Sequence, residues 1–262
     1  MSDSKKTTTL KIDAKGVYYR ELNKSIREAI ARGVTHVELL NVNGQRYIAD
    51  AMDGKADIEV HGVPGNDLGA FMNGATVTVY GNAQDGVANT MNAGKIVVHG
   101  NAGDVLGYGM RGGKLFVRGN VGYRVGIHMK GYKKQIPVII AGGCAADFLG
   151  EYMAGGIVIV LGLDSQKANP AIPHAHSRPV AGDYIGTGMH GGIIYLGDEV
   201  DPRKLGKEVG ITPLNDEDHR LLKELLEEFA ADLHLDRDEL LSRTFFKLTP
   251  QSNRPYGKMY SY

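Results

Sequence analysis

The 262-residue chain has a single cysteine, Cys144, and no tryptophan. A lone cysteine excludes an internal disulfide, a cysteine-ligated iron–sulfur cluster and the usual multi-cysteine zinc site. A surplus of one charge is also lacking, since 30 Lys and Arg balance 30 Asp and Glu. A nucleic-acid groove or an anionic membrane surface favours a basic excess, so neither partner is expected. The longest apolar stretches, "VIIAGG" and "GIVIVLGL", are far too short to span a bilayer. The opening MSDSKKTTTL contains no apolar signal region, which makes a cytoplasmic chain the expectation. Glycine, by contrast, is abundant: 36 residues, about twice the usual share.

The glycines follow a repeat. Met72, Met91, Met110 and Met129 are each 19 residues apart; Met153 follows after 24 and Met189 after 36. Each methionine is followed closely by glycine, as in "MNG", "MRGG" and "MHGG". Short β-rich runs precede a second glycine in each unit: "DIEVHG", "TVTVYG", "KIVVHG", "KLFVRG". A period near 19 is too short for a helical hairpin or a propeller blade. It suits one coil of a parallel β-helix, with two or three short strands per coil, glycine at the corners and methionine filling each core layer. Coils stacked at about 4.8 Å would make a rod on the order of 30 Å long. Asn82, Asn101 and Asn120 fall 19 apart and predict an amide ladder. His61, Tyr80, His99 and Arg118 predict a second ladder on the outer face, and Asp85, Asp104, Asp147 and Asp183 an acidic one that needs arginines or corner N–H groups beside it. "YKKQIP" at 132–137 and the His/Pro-rich segment at 164–179 read as loop insertions.

The ends differ from the middle. "RELNKSIREAIARG" has a helical apolar face that stops at Gly33. "THVELLNV" and "QRYIADAM" read as a hairpin about Asn43-Gly44. "NDEDHRLLKELLEEFAADL" predicts a helix capped by Asn215, with a second short helix from near Asp236 and an extended arm from Thr244 onward. The organisation expected is an α/β lead-in over 1–56, a β-helix over 57–200 and a helical extension with a tail over 201–262.

"GYGMRG" (107–112) and "GTGMHG" (186–191) spell the dinucleotide fingerprint G-x-G-x-x-G. That fingerprint requires a helix to open after it, so that the helix N-terminus meets the pyrophosphate. Here "KLFV" and "GIIYL" follow, which are strand sequences, so no nucleotide is expected. His174 and His176 form a bare H-x-H without nearby ligands at metal spacing and read as a polar loop. Cys144 reads as a small residue packed at a corner. No hydrolase triad, P-loop, HExxH or EF-hand signature is present. No catalytic, cofactor-binding or metal residue is therefore assigned.

The coils "GNAQDGVANTMNAGKIVVHGNAGDVLGYGMRGGKLFVRGNVGYRVGIHMKG" and the lead-in "LNKSIREAIARGVTHVELLNVNGQRYIADAM" resemble the GXGXG domain of the glutamate synthase large subunit, including its stand-alone archaeal form. Subunits of formylmethanofuran dehydrogenase and N-methylglutamate synthase share the repeat. The resemblance implies an all-β, right-handed parallel β-helix that is a non-catalytic scaffold. A glutamine amidotransferase subunit and an FMN-binding synthase subunit with an iron–sulfur cluster would be its partners, and no cofactor would be bound by this chain. A homo-oligomer is compatible with it. The alternative from another class is a free-standing β-helix enzyme that cleaves carbohydrate, which would need carboxylates converging on one face.

Overall fold

The computed structural model describes residues 8–131, 134–163 and 179–251. Nine strands arise where apolar and polar residues alternate between glycine corners: β1 (Thr9–Asp13), β2 (His36–Asn43), β3 (Asp57–Val63), β4 (Asn73–Tyr80), β5 (Ala93–Val98), β6 (Lys114–Val117), β7 (Val138–Ala141), β8 (Ala154–Val160) and β9 (Gly191–Leu196). They pair in parallel and in sequence order, one strand per coil. Two later strands, β10 (Val209–Thr212) and β11 (Phe246–Pro250), join the sheet antiparallel, with β11 directly on β9.

One core column runs through the whole stack, although three strand pairs carry a bulge near their ends, at Leu39–Val42, Asn73–Thr76 and Ala154–Ile157. Val37, Ile58, Val77, Ile96, Leu115, Ile139, Val158 and Ile194 are successive partners. All point into one continuous core, where Met52, Met72, Met91, Met110, Met129, Met153 and Met189 each fill a layer. Each of these seven methionines has a buried aliphatic residue four positions before it, from Ile48 through Leu68, Val87, Leu106, Val125 and Leu149 to Ile185. The stack keeps its pairing across the longer spacings, as Lys114 opposite Val138 and Val158 opposite Ile194 demonstrate.

The outward column changes character along the rod. It reads Glu38, Glu59, Thr78 and then Val97, Phe116, Ile140, Ile159, Tyr195. Its apolar half is covered by helix α2 (Asp216–Leu233), whose Leu222, Leu225, Leu226 and Phe229 are buried against it. Phe116 and Phe229 meet edge to face at 5.5 Å. The switch from polar to apolar thus marks where the helix begins to cover the sheet. Helix α1 (Tyr19–Ala31) closes the other end, with Leu22 and Ile26 packed on the first layers of the core. The short α3 (Arg237–Leu241) follows α2, capped by Asp236.

Three expectations are corrected. Asn43-Gly44 does not turn a hairpin: β2 pairs β3 in parallel, and residues 47–51 form the bend of a coil around Met52. A coil has one strand, not two or three. Its other sides are bends whose backbones bond from coil to coil, as in Ala83 N–H to Asn101 O at 2.9 Å and Gly107 N–H to Val87 O at 2.8 Å. The segment after Thr244 is not simply an arm, because Phe246–Pro250 becomes β11; the residues after 251 lie outside the described ones. The lead-in is itself strung on the sheet, since β1 and β2 continue the parallel order into β3.

Candidate functional site

The fingerprint glycines are explained by the bend that precedes each methionine. In every coil the residues five, three and one before the methionine have positive φ: Tyr47, Ala49, Ala51; Asp67, Gly69, Phe71; Gly86, Ala88, Thr90; Val105, Gly107, Gly109; Arg124, Gly126, His128; Phe148, Gly150, Tyr152; Tyr184, Gly186, Gly188. Alternating left-handed residues make a flat, tightly curved bend. "GYGMRG" samples it at two positions. Gly107 combines φ 64° with crowding, since a Cβ there would lie 2.4 Å from Ile139 Cδ1. Gly112 answers a different demand: its φ is ordinary, but a Cβ would lie 2.3 Å from the backbone oxygen of Asn92. Strands β6 and β9, not helices, follow the two motifs. The helix N-terminus a pyrophosphate needs is missing from both sites.

Two ladders satisfy the corners. Asn101, Asn120 and Cys144 each donate a backbone N–H to the asparagine Oδ1 one coil earlier, at 2.9, 2.8 and 2.7 Å. Asp104, Tyr123 and Asp183 do the same to Asp85, Asp104 and Asp147, each at 2.9 Å. The acidic column is therefore held by corner N–H groups. Of the arginines expected near it, Arg124 instead pairs with Glu151 at 2.9 Å and lies 4.7 Å over the Phe148 ring. Cys144 is buried at a corner.

The exposed feature is an aromatic margin along the bends. His128 and Tyr152 stack at 5.3 Å with planes 10° apart, Tyr108 meets His128 edge-on at 5.8 Å, and Phe148 stacks on Tyr184 at 4.9 Å. Tyr108, Tyr123, Tyr152, Tyr184 and Phe71 are among the exposed large side chains. Only His128–Tyr152 and Phe148–Tyr184 stack face to face along this margin, while Tyr108 meets His128 edge-on. Exposed aromatic side chains of this kind suit a protein interface, where rigid amphipathic tyrosines are favoured. The carboxylates bordering the margin are paired, Glu151 with Arg124 at 2.9 Å and Asp183 with Lys204 at 3.2 Å.

The expected outer ladder forms in part: His61 stacks on Tyr80 at 4.8 Å and Tyr80 on His99 at 5.0 Å. A cleft of about 450 Å³ lies at its end, lined by His99, Asn101, Arg118, Asp236, Glu239 and Leu240. His99 is held below the ordinary imidazole range, first by burial and then by the neighbouring His234 and Arg118. His190 sits beside its own bend, with Nδ1 3.3 Å from Gly188 O. His174, His176 and most of the two insertions lie outside the described residues.

Sequence reasoning missed the cluster that pins α2. Asp218 is 4% exposed. It accepts from Tyr195 Oη at 2.6 Å, Lys247 Nζ at 2.8 Å and the Asn215 N–H at 2.8 Å. Burial alone would raise the Asp218 carboxyl, but these donors hold it below the usual range. Burial and the adjoining carboxylate push the Tyr195 phenol well up. Lys95 reaches Glu228 at 2.9 Å and Asp232 at 2.7 Å, and Lys114 also pairs with Glu228. An aspartate at the third helical position after Asn215 was the available signal, since that spacing makes a capping box.

Among the described residues no helix is long and apolar enough to cross a membrane. The fold and its glycine-ordered bends define a parallel β-solenoid with a helix-covered sheet face and an aromatic bend face. The family model described as "GXGXG motif" matches residues 20–251. An uncharacterized protein of Methanocaldococcus jannaschii is 48% identical over 256 residues, covering 95% of each chain. The chain belongs to the GXGXG family.

Proposed function

We propose that this chain is the non-catalytic β-helix subunit of a multi-subunit glutamate synthase. In that reading it holds a glutamine amidotransferase subunit and an FMN-binding synthase subunit at fixed separation, so that ammonia passes between them without loss to water. The observation that carries the reading is the GXGXG match across nearly the whole chain. The chemistry of its residues is consistent with this division of labour. A single cysteine cannot by itself hold an iron–sulfur cluster, which fits a reading in which the cluster, like the flavin, is carried by a partner. The aromatic margin about Tyr108, Tyr152 and Tyr184 is the surface we assign to a partner, in a cytoplasmic complex.

The test is purification of the native complex through a tag on this chain, with bound flavin and iron assayed and glutamine-dependent glutamate formation measured with and without the chain. Co-purifying amidotransferase and flavin subunits support the reading. Molybdenum-cofactor subunits in their place would move the chain to a formylmethanofuran-type complex. Flavin subunits that form N-methylglutamate and ammonia from glutamate and methylamine would move it to an N-methylglutamate synthase. Polysaccharide cleavage by the purified chain alone would overturn the scaffold role.

A further inference from the structure

The sheet ends in β1 on one side and in β10 on the other. β1 pairs only with β2, over five consecutive residues without a bulge. The even-numbered residues make that pairing: Ala14 donates its N–H to Leu40 O at 2.8 Å, and Thr8 O accepts from the His36 N–H at 3.3 Å. Successive residues of a strand turn their N–H and C=O groups to opposite sides, so Thr9, Lys11 and Asp13 direct theirs away from β2. Among the described residues nothing meets these groups. A row of open backbone donors and acceptors is a template for another strand unless it is bulged, interrupted by proline or covered. β1, "TLKID", has none of these guards. Its only protection is charge, since Lys11 and Asp13 flank Ile12 on the exposed face while Ile12 itself packs against the core.

We propose that the free edge of β1 pairs antiparallel with β1 of a second copy of this chain, about a two-fold axis at Ile12. In that register Lys11 lies opposite Asp13 of the second copy, and Asp13 opposite its Lys11, so the charges that guard the edge against other strands attract here. Each of these pairs exchanges two N–H···O=C bonds through the groups that β2 leaves open. The two Ile12 side chains meet between them, in the closer, non-hydrogen-bonded pair, and carry the apolar column across the junction. Moving the axis to Lys11 would set lysine opposite lysine, which is unfavourable. The charged groups have capacity for the contact. The Lys11 side chain is 65% exposed and spends one donor on Glu38 Oε2, at 2.6 Å. Asp13 accepts from Asn41 Nδ2 at 2.9 Å and from the Lys15 N–H at 3.0 Å through Oδ1, which leaves Oδ2. The opposite edge, β10, is the uncharged "VGIT" and has nothing to select a register. A two-fold contact is closed, so it joins two rods through one continuous sheet and goes no further. The inference is independent of the proposed partner subunits.

The experiment is sedimentation velocity on the purified full chain across a concentration series, where a dimer that dissociates on dilution is expected. Lys11→Pro removes a donor that points away from β2, so it should leave the circular dichroism spectrum unchanged and weaken the dimer at least about tenfold. Lys11→Asp and Asp13→Lys each set like charges opposite each other and should weaken it by at least about as much. Mixed in equal amounts, these two variants restore opposite charges at both pairs, and a heterodimer should form between them. A general loss of structure in either variant would not be repaired by mixing. A natural chain that stays monomeric at about 0.1 mM overturns the proposal. So does a dimer that a folded Lys11→Pro chain keeps at full strength. Should Lys11→Pro not fold, the mixing experiment decides, and no gain of dimer over the separate variants overturns it.

Discussion

Asn101 accepts a hydrogen bond through Oδ1 from the backbone N–H of Asn120 at 2.8 Å, and its own N–H is accepted one coil earlier by Asn82 Oδ1 at 2.9 Å. Each asparagine therefore satisfies the next corner and is satisfied by the last. The ladder couples coils outside the sheet, where no strand pairing holds them. Asn101→Ala leaves the Asn120 N–H to water, since that corner is exposed. A loss of about 1 kcal/mol is expected. Asn120→Ala strands the part-buried Cys144 N–H, at 2.7 Å, and should cost about 2 kcal/mol. Denaturant midpoints that fall in this order at constant m-value would confirm it.

Gly112 and Gly54 separate the two roles of glycine in the bends. A Cβ on Gly112 would sit 2.3 Å from a backbone oxygen that cannot move without shifting a coil. Gly112→Ala should cost more than about 3 kcal/mol or abolish folding. Gly54 has φ 85° and open space around it. Gly54→Ala should cost only about 1 kcal/mol, the ordinary left-handed penalty. Equal losses in a thermal melt would refute the distinction.

Val105 occupies a left-handed bend position with φ 52°, which suits a β-branched side chain poorly. Replacement by asparagine, which tolerates that conformation, should stabilise the chain by about 0.5–1 kcal/mol. The midpoint of urea unfolding would report it.

Asp218 carries the pH dependence of α2 docking. Burial opposes its ionised form, but Lys247, Tyr195 and the Asn215 N–H overcome that and lower the folded pKa. The contribution is intact above the unfolded carboxylate pKa of about 3.9. It is lost as pH falls from there through the lower folded value. Acid titration followed by far-ultraviolet circular dichroism should show that Asp218→Asn has a weaker dependence in this window than the natural chain. Asp218→Ala, which leaves Lys247 unpaired in a buried setting, should cost about 3 kcal/mol at neutral pH.

The margin residues should matter for binding and little for folding. Tyr152→Ser with Tyr184→Ser removes side chains that are largely exposed, 38% and 57%. The melting temperature should move by no more than a few degrees, while capture of the partner subunits falls at least about tenfold. Undiminished capture would place the partner on another face.

The core was legible because stacking turns sequence period into spatial column: methionines 19 apart had to share a position, and asparagines 19 apart had to bond. Met52 escaped that logic. Its coil spells "GQRYIADAM", which alternates like a strand, and only the aliphatic residue four before each methionine, here Ile48, betrays the bend. The hairpin reading of Asn43-Gly44 failed for a related reason, because local turn chemistry is blind to where the chain goes next. Gly44, with φ 79°, does turn the chain, but into the next side of a coil. Phe246–Pro250 was invisible as a strand because its partners are β9 and β10, distant in sequence.

The continuous core column from Val37 on β2 to Ile194 on β9 has a metric consequence. Coils add or drop out only as whole units, and insertions such as those after Met129 and Met153 leave the stack undisturbed. The rod is therefore graduated in steps of about 4.8 Å. Whatever is attached toward its two ends can be set closer or farther apart only by whole graduations, each of which also rotates nothing in the core. A protein built this way works as a ruler whose divisions are fixed by the peptide hydrogen bond.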